Sequence, residues 1–259
     1  MTLLRKNAQP TAWRGLVVLA FAALLPFAVP QNGSAAESDD VEIALSLAHF
    51  LRSARTVISV NQDLINDPTI GDKGLNGLAV LAEAEKRYET TTGVDPGSID
   101  PESREGRLLK AQMDAIVEVM NDNQDTINQE GLGFKGFVPA VFARLVNERF
   151  RLKAGQDADI KVTAPRELIR NRKALPDDWE HEVIQSKFIL PEWEKDRIFI
   201  AQTTSNGRPA FRTLIPEYYG EGCLSCHGEP KGEIDVTGYP KEGGKLGDLG
   251  GVISITLFH

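Results

Sequence analysis

The chain has 259 residues, of which 41% are hydrophobic and 25% charged, with a formal net charge of −8 at pH 7. Such an excess of acid is repelled by phosphate backbones and by anionic lipid, so nucleic acid is not expected as a partner. The soft metal ligands are few: 2 cysteines and 4 histidines.

Residues 1–36 read as a signal peptide. Arg5, Lys6 and Arg14 give a positive start, and Gly15 to Val29 is an apolar stretch too short and too proline-punctuated for a comfortable membrane span. Ser34-Ala35-Ala36 offers the small residues of a cleavage site, with Glu37 opening the mature chain. The alternative is an uncleaved anchor helix. Cleavage removes three cations and no acids, taking the net charge from −8 to −11. The expected product is exported, periplasmic if bacterial, and not membrane-embedded after cleavage.

Residues 37–150 are expected to be helical and contain a two-fold internal repeat. "VNQDLINDPTIGDKG" from Val60 and "DNQDTINQEGLGFKG" from Asp122 align at an offset of 62 residues. Each copy ends an amphipathic helix and enters a glycine-containing loop. Ile43, Leu47, Phe50, Ala54, Val57, Ile58 and Ile65 share one face of the first helix, and Leu109, Met113, Ile116, Met120 and Ile127 one face of the second. The repeat predicts two similar corners packed side by side; a sharper alternative is that the paired Asn-Gln corners hold something between them. Two copies are too few for a solenoid. "TTGVDPGSIDPESREG" (Thr91 to Gly106) separates them as an exposed connection.

Residues 151–259 are expected to be β-rich. "DIKVT" (Asp159 to Thr163) alternates as a short strand, and Arg197 to Ile215 is a hairpin turning at Asn206-Gly207, residues that tolerate positive φ. Gly250 to Phe258 is a final strand. Between the first strand and the hairpin lies a helix, capped by Asp177 or Asp178 after Pro176. The result is an antiparallel sheet with a helix on one side.

Both cysteines lie in "CLSCHG" (Cys223 to Gly228). A thioredoxin-like redox pair needs a βαβ context, whereas the surrounding segment is glycine-rich loop. Zinc needs four ligands, and beyond Cys223, Cys226 and His227 only the scattered His49, His181 and His259 remain. Haem suits these residues best. Cysteines three apart reach the two vinyl groups of one porphyrin edge, and the histidine directly after is carried under the iron as proximal ligand. One motif implies one covalent haem c.

Three stretches resemble the PAS-like c-type haem domain family: "IRNRKALPDDWE" from Ile169, "RTLIPEYYGEGCLSCHG" from Arg212 and "GYPKEGGKLGDLGGVISI" from Gly238. The resemblance implies an α+β fold, long N-terminal helices packed on a PAS-like antiparallel sheet that carries one c-type haem, with residues 151–259 as the haem-binding region. Family members stand alone in the periplasm or form the sensing end of kinases and chemoreceptors. Arg172 and Ala174 depart from the first element. Some relatives take a sixth iron ligand from a cysteine where this chain has Phe134 to Pro139, and no cysteine is left for that here.

Arg170 and Asn171 are candidates to meet the haem propionates. Phe134 and Phe137 are expected to wall the distal pocket, with Met120 the best-placed weak distal ligand. His49 is expected to face solvent and His259 to fray. Trp179 and Trp193 are expected in the core, Tyr218 and Tyr219 near the anchor, and "KEGGK" (Lys241 to Lys245) in a solvated loop. No Ser/His/Asp set or carboxylate pair suggests an enzyme. Two functions remain: a redox or diatomic-ligand sensor module signalling to a periplasmic partner protein, and a periplasmic electron-transfer cytochrome.

Overall fold

The computed structural model describes residues 32–259; the expected signal peptide lies outside them except for its last five residues, and its expected cleavage site after Ala36 falls within the first helix. The described residues fold as α+β, with eight α-helices and one four-stranded antiparallel sheet among them. The helices are α1 (Asn32–Val60), α2 (Gln62–Asn66), α3 (Gly77–Thr92), α4 (Arg104–Asp122), α5 (Gln124–Ile127) and α6 (Pro139–Ala154), then, after β1 (Ala158–Thr163), α7 (Asp178–Val183). The chain continues through β2 (Phe199–Ser205), β3 (Arg208–Tyr218), α8 (Leu224–His227) and β4 (Leu249–Phe258).

The repeat is a duplicated helical hairpin. The ends of α1 and α4 and the starts of α3 and α6 are each 62 residues apart, matching the sequence offset. Each hairpin uses local signals for its turns. Asn76 caps α3 by accepting from the Ala79 N–H, and Pro139 opens α6 where a missing N–H costs nothing. The four long helices form a bundle. Its core holds the whole predicted face of α1, and of α4 it holds Leu109, Ile116 and Met120, with Met113 partly buried against them. The 24 residues from Glu37 to Val60 are apolar and long enough to cross a membrane, but that apolar surface is spent on the bundle core.

The two corners hold each other. Gln62 donates to the Phe137 carbonyl (3.1 Å) and Gln124 to the Leu75 carbonyl (3.0 Å). Asn128 Oδ1 accepts from the Lys73 N–H, and Asn66 Oδ1 from the Lys135 N–H, both at 3.0 Å. Each bond maps onto its counterpart by the repeat offset, so the pair is related by a pseudo-two-fold axis. Lys73 and Lys135 are buried, and their ammonium groups donate to carbonyls of the same corners, both reaching Asp67 O. Symmetry makes a prediction. Gln62→Ala and Gln124→Ala each leave a corner carbonyl without its donor, and each will cost about 1 kcal/mol in urea unfolding. A large cost at one and none at the other would contradict the two-fold pairing.

The sheet order is β1-β4-β3-β2. The β2–β3 turn is at Asn206 and Gly207, with φ of 52° and 76°, the positive values that a tight hairpin needs. Strand alternation then gives two faces. Ala158 and Ile160, Phe211 and Ile215, and Ile253, Ile255 and Leu257 face the bundle and join its core, so the core runs unbroken from helices to sheet. Leu214 and Val252 face the other way, where Val183, Ile184, Phe188, Trp179 and Trp193 cover them. α7 is fixed there by its capping box, Asp177 with Glu180. The buried Glu180 carboxylate and the exposed Asp177 carboxylate also bind Arg212 (3.2 and 2.7 Å), whose guanidinium lies 4.2 Å from the Trp179 ring centroid. The "PDDWE" element is therefore a clamp between α7 and the sheet.

Candidate functional site

β3 runs out of the sheet at Tyr218, and a short 3-10 turn (Glu221–Cys223) leads into α8. One helical turn thus carries Cys223, Cys226 and His227. Both thiols are free and half-buried, and His227 is half-buried beside them. Arg52 and Arg55 of α1 tie down this end of the sheet, donating to the two oxygens of Glu217 at 2.6 Å each. Gly222 lies against the last turn of α1; a side chain there would come within 3.9 Å of Ser59 Oγ.

The His227 ring is fixed on two sides. Its Nδ1 is 2.9 Å from Glu242 Oε2, and its plane stacks on Tyr219 at 5.1 Å between centroids and 18° between planes. Its carbonyl accepts from the Gly244 N–H at 2.7 Å. Tyr219 in turn lies in a glycine cradle. A Cβ at Gly244 or Gly250 would sit 2.5 or 2.3 Å from its ring, so no side chain is tolerated at either position. The Tyr219 hydroxyl is buried with no partner. Burial first, and then the Glu242 charge, pushes the phenol up to about 12, so it stays protonated.

Glu242 is held by Arg170, which donates Nε to Oε1 (2.9 Å) and Nη2 to Oε2 (3.1 Å). Arg170 Nη1 donates to Asp235 Oδ2 (2.6 Å) and Thr237 Oγ1 (3.2 Å), and Nη2 also to the Cys226 carbonyl (2.9 Å). Burial opposes charge on both carboxyls. The hydrogen bonds from Thr237 and Arg170 nevertheless hold Asp235 well below the usual carboxylate range, and those from Arg170 and His227 hold Glu242 below it.

The structure thus brings Cys223, Cys226, His227 and Arg170 together. Arg170 is on the carboxylates behind His227, with all three of its nitrogens engaged by protein groups, rather than free for haem propionates. Asn171 is exposed and caps its own turn, accepting from the Lys173 N–H at 3.0 Å. Phe137 is buried in the bundle core, edge-on to Phe142 at 6.2 Å, and Phe134 is half-buried. Met120, expected as a weak distal cap, is 0% exposed in that core. His49 is not solvent-facing but half-buried, in a cleft of about 340 Å³ between α1 and α3 with Arg52, Lys86 and Arg87. His259 does not fray: its Nε2 meets Asp40 Oδ2 at 3.0 Å.

Sequence reasoning missed Glu242. "KEGGK" is no solvated loop: the Glu242 side chain is 17% exposed and Lys241 13%, the latter paired to Glu233. Its place beside His227 depends on a loop closure across 15 residues, which no local pattern reports. The residues present fit a covalently held haem. Two free thiols and a histidine share one turn, and the histidine's Nδ1 is already committed, which leaves Nε2 as the only ring nitrogen free to bind iron.

A family model described as Tll0287-like matches residues 98–257, more than half of the chain, from just before α4 to near the end of β4. Neither the curated proteins nor the solved structures gave a match.

Proposed function

The chain belongs to the Tll0287-like family of PAS-like haem-binding domains, and on that ground we propose that it is a periplasmic mono-haem c-type protein, not an enzyme, which senses redox state or a diatomic ligand and passes that state to a partner protein. The observation that carries this reading is the single turn bearing Cys223, Cys226 and His227, with Nδ1 of His227 engaged. Cys223 and Cys226 are the residues that would hold the haem by thioethers, and His227 the one that would hold its iron. When bound, haem supplies a one-electron couple and a coordination position for a small molecule. The periplasmic placement rests on the leader read in residues 1–36.

The chain's own residues favour a sensor over a carrier. Tyr219 and Glu242 fix the imidazole, while Glu217, six residues before the first thiol of the turn, is bound by two arginines of α1. The opposite face of α1 is bundle core. A small displacement of the turn is thereby coupled to the bundle, which a carrier has no use for. The half-exposure of the thiol turn favours the second reading, an electron-transfer cytochrome whose haem edge meets a redox partner. Hydrogen exchange on haem-loaded protein separates them. A sensor will change amide protection in Arg52–Val60 by about tenfold between ferric, ferrous and carbon monoxide-treated samples. Unchanged exchange there in all three would support the carrier.

A further inference from the structure

We propose that Glu242 is a positioning residue that sets the electron-donating strength of His227, acting on Nδ1 from within an anionic cluster and so favouring the ferric form of the bound haem. The inference rests on the haem reading above and concerns what lies behind the ligand rather than the ligand itself. A histidine that binds a metal through one nitrogen commonly gives its other N–H to an acceptor that orients the ring and raises its basicity. Here the acceptor is a carboxylate at 2.9 Å, and a charge-assisted bond of this kind is roughly twice as strong as a neutral one.

One observation weighs against the idea. Arg170 sits on the same Glu242 oxygen that faces His227, at 3.1 Å, and a cation there offsets the carboxylate's pull. The rest of the cluster decides the balance. Arg170 is shared with Asp235 at 2.6 Å, and the Asp235 side chain is 0% exposed. Two carboxylates and one guanidinium leave the group behind His227 with a net charge of −1. Lys241 does not neutralise it, since its ammonium is directed to Glu233 at 2.7 Å. Tyr219 covers the imidazole by stacking on it at 5.1 Å between centroids. Little solvent reaches the cluster, so its charge is weakly screened from the ring it touches.

The test uses haem-loaded protein with covalent attachment scored first on a denaturing gel. Glu242→Gln keeps a side chain of the same shape and removes the charge. It will shift the ferric-to-ferrous equilibrium toward ferrous by about tenfold, which for a one-electron couple is a midpoint about 59 mV higher. The ferrous iron–histidine stretch will fall with it. Asp235→Asn will shift the midpoint in the same direction and by less, being further from the ring. Arg170→Gln removes the cation and will lower the midpoint. A merely structural role, in which each variant lets water reach the haem, moves all three the same way. Unchanged midpoint and stretch in Glu242→Gln with haem retained would overturn the proposal, as would Arg170→Gln and Glu242→Gln shifting together. Should Glu242→Gln fail to fold, the opposite signs of Asp235→Asn and Arg170→Gln decide. Wild-type protein without covalent haem fails at the gel, which marks the haem reading itself as the fault.

Discussion

Cys223→Ser/Cys226→Ser protein, made with a periplasmic maturation system, will carry no haem through denaturing electrophoresis or acid-acetone extraction, while the wild type will carry one. The effect is all-or-none because the chain has no other thiol to form a thioether. The competing chemistries of a Cys-x-x-Cys pair have lost their structural support. Among the described residues no three His, Cys, Asp or Glu side chains are grouped so as to hold a metal ion, whereas zinc takes four ligands. The pair follows the third strand of a wholly antiparallel sheet, not a βαβ unit, so a thioredoxin-like role lacks its setting. The fold itself will survive the double substitution, because the turn's position is fixed by the Gly244 N–H on the His227 carbonyl, Arg170 on the Cys226 carbonyl and the arginine clamp on Glu217. Covalent haem in the double variant, or zinc in the wild type, would reject the attachment.

What could be read from the chain in advance depended on how local its cause was. β1, the hairpin and β4 were legible because alternation and the Asn206-Gly207 turn act over a few residues. The apolar faces of α1 and α4 were legible for the same reason. The repeat announced two like corners, but not that Asn66 and Asn128 would each cap a backbone N–H in the other copy; their partners are 69 and 55 residues away. The Cys-x-x-Cys-His turn is contiguous and declared itself. The groups that tune it do not: Glu242, Asp235 and Arg170 converge only when the closing loop folds back on the approach to α7. "IRNRKALPDDWE" shows both behaviours. Asp177 was readable as a helix cap, yet its second function, holding Arg212 against the sheet, needed the packing of α7 on β3. Helix geometry alone placed His49 in solvent because it knew the face of α1 that meets α4 and not the one that meets α3.

Ferrous haem-loaded protein will bind carbon monoxide, with a clear change in its absorption spectrum, and Met120→Ala will leave both ferrous spectra unchanged while destabilising the fold by about 2–5 kcal/mol. The first half follows from the fate of each candidate sixth ligand. Met120 is in the bundle core, at the repeat position of Ile58, and both are 0% exposed. Lys135 donates its ammonium to the Leu132 carbonyl at 2.8 Å, and a lysine must lose its proton and that bond before it can bind iron. Burial and the Lys73 charge do depress its ionisation, but Asp67 opposes them. His259 is bonded to Asp40 at the far end of β4, and His49 is in the α1–α3 cleft. The α1 turn that does reach the thiol segment offers Ser59 and Val60, the latter 61% exposed, and neither ligates iron. Among the described residues none of these candidates is pre-placed as a strong donor, so the ferrous iron will be five-coordinate or only weakly capped and open to a diatomic molecule. The second half separates packing from ligation: deleting the Met120 side chain opens a cavity in the bundle core, which costs stability without touching the iron. A sharp six-coordinate low-spin ferrous spectrum, indifferent to carbon monoxide, would sink this expectation and move the weight to electron transfer; a spectrum that changes in Met120→Ala would show that the methionine leaves the core to cap the haem.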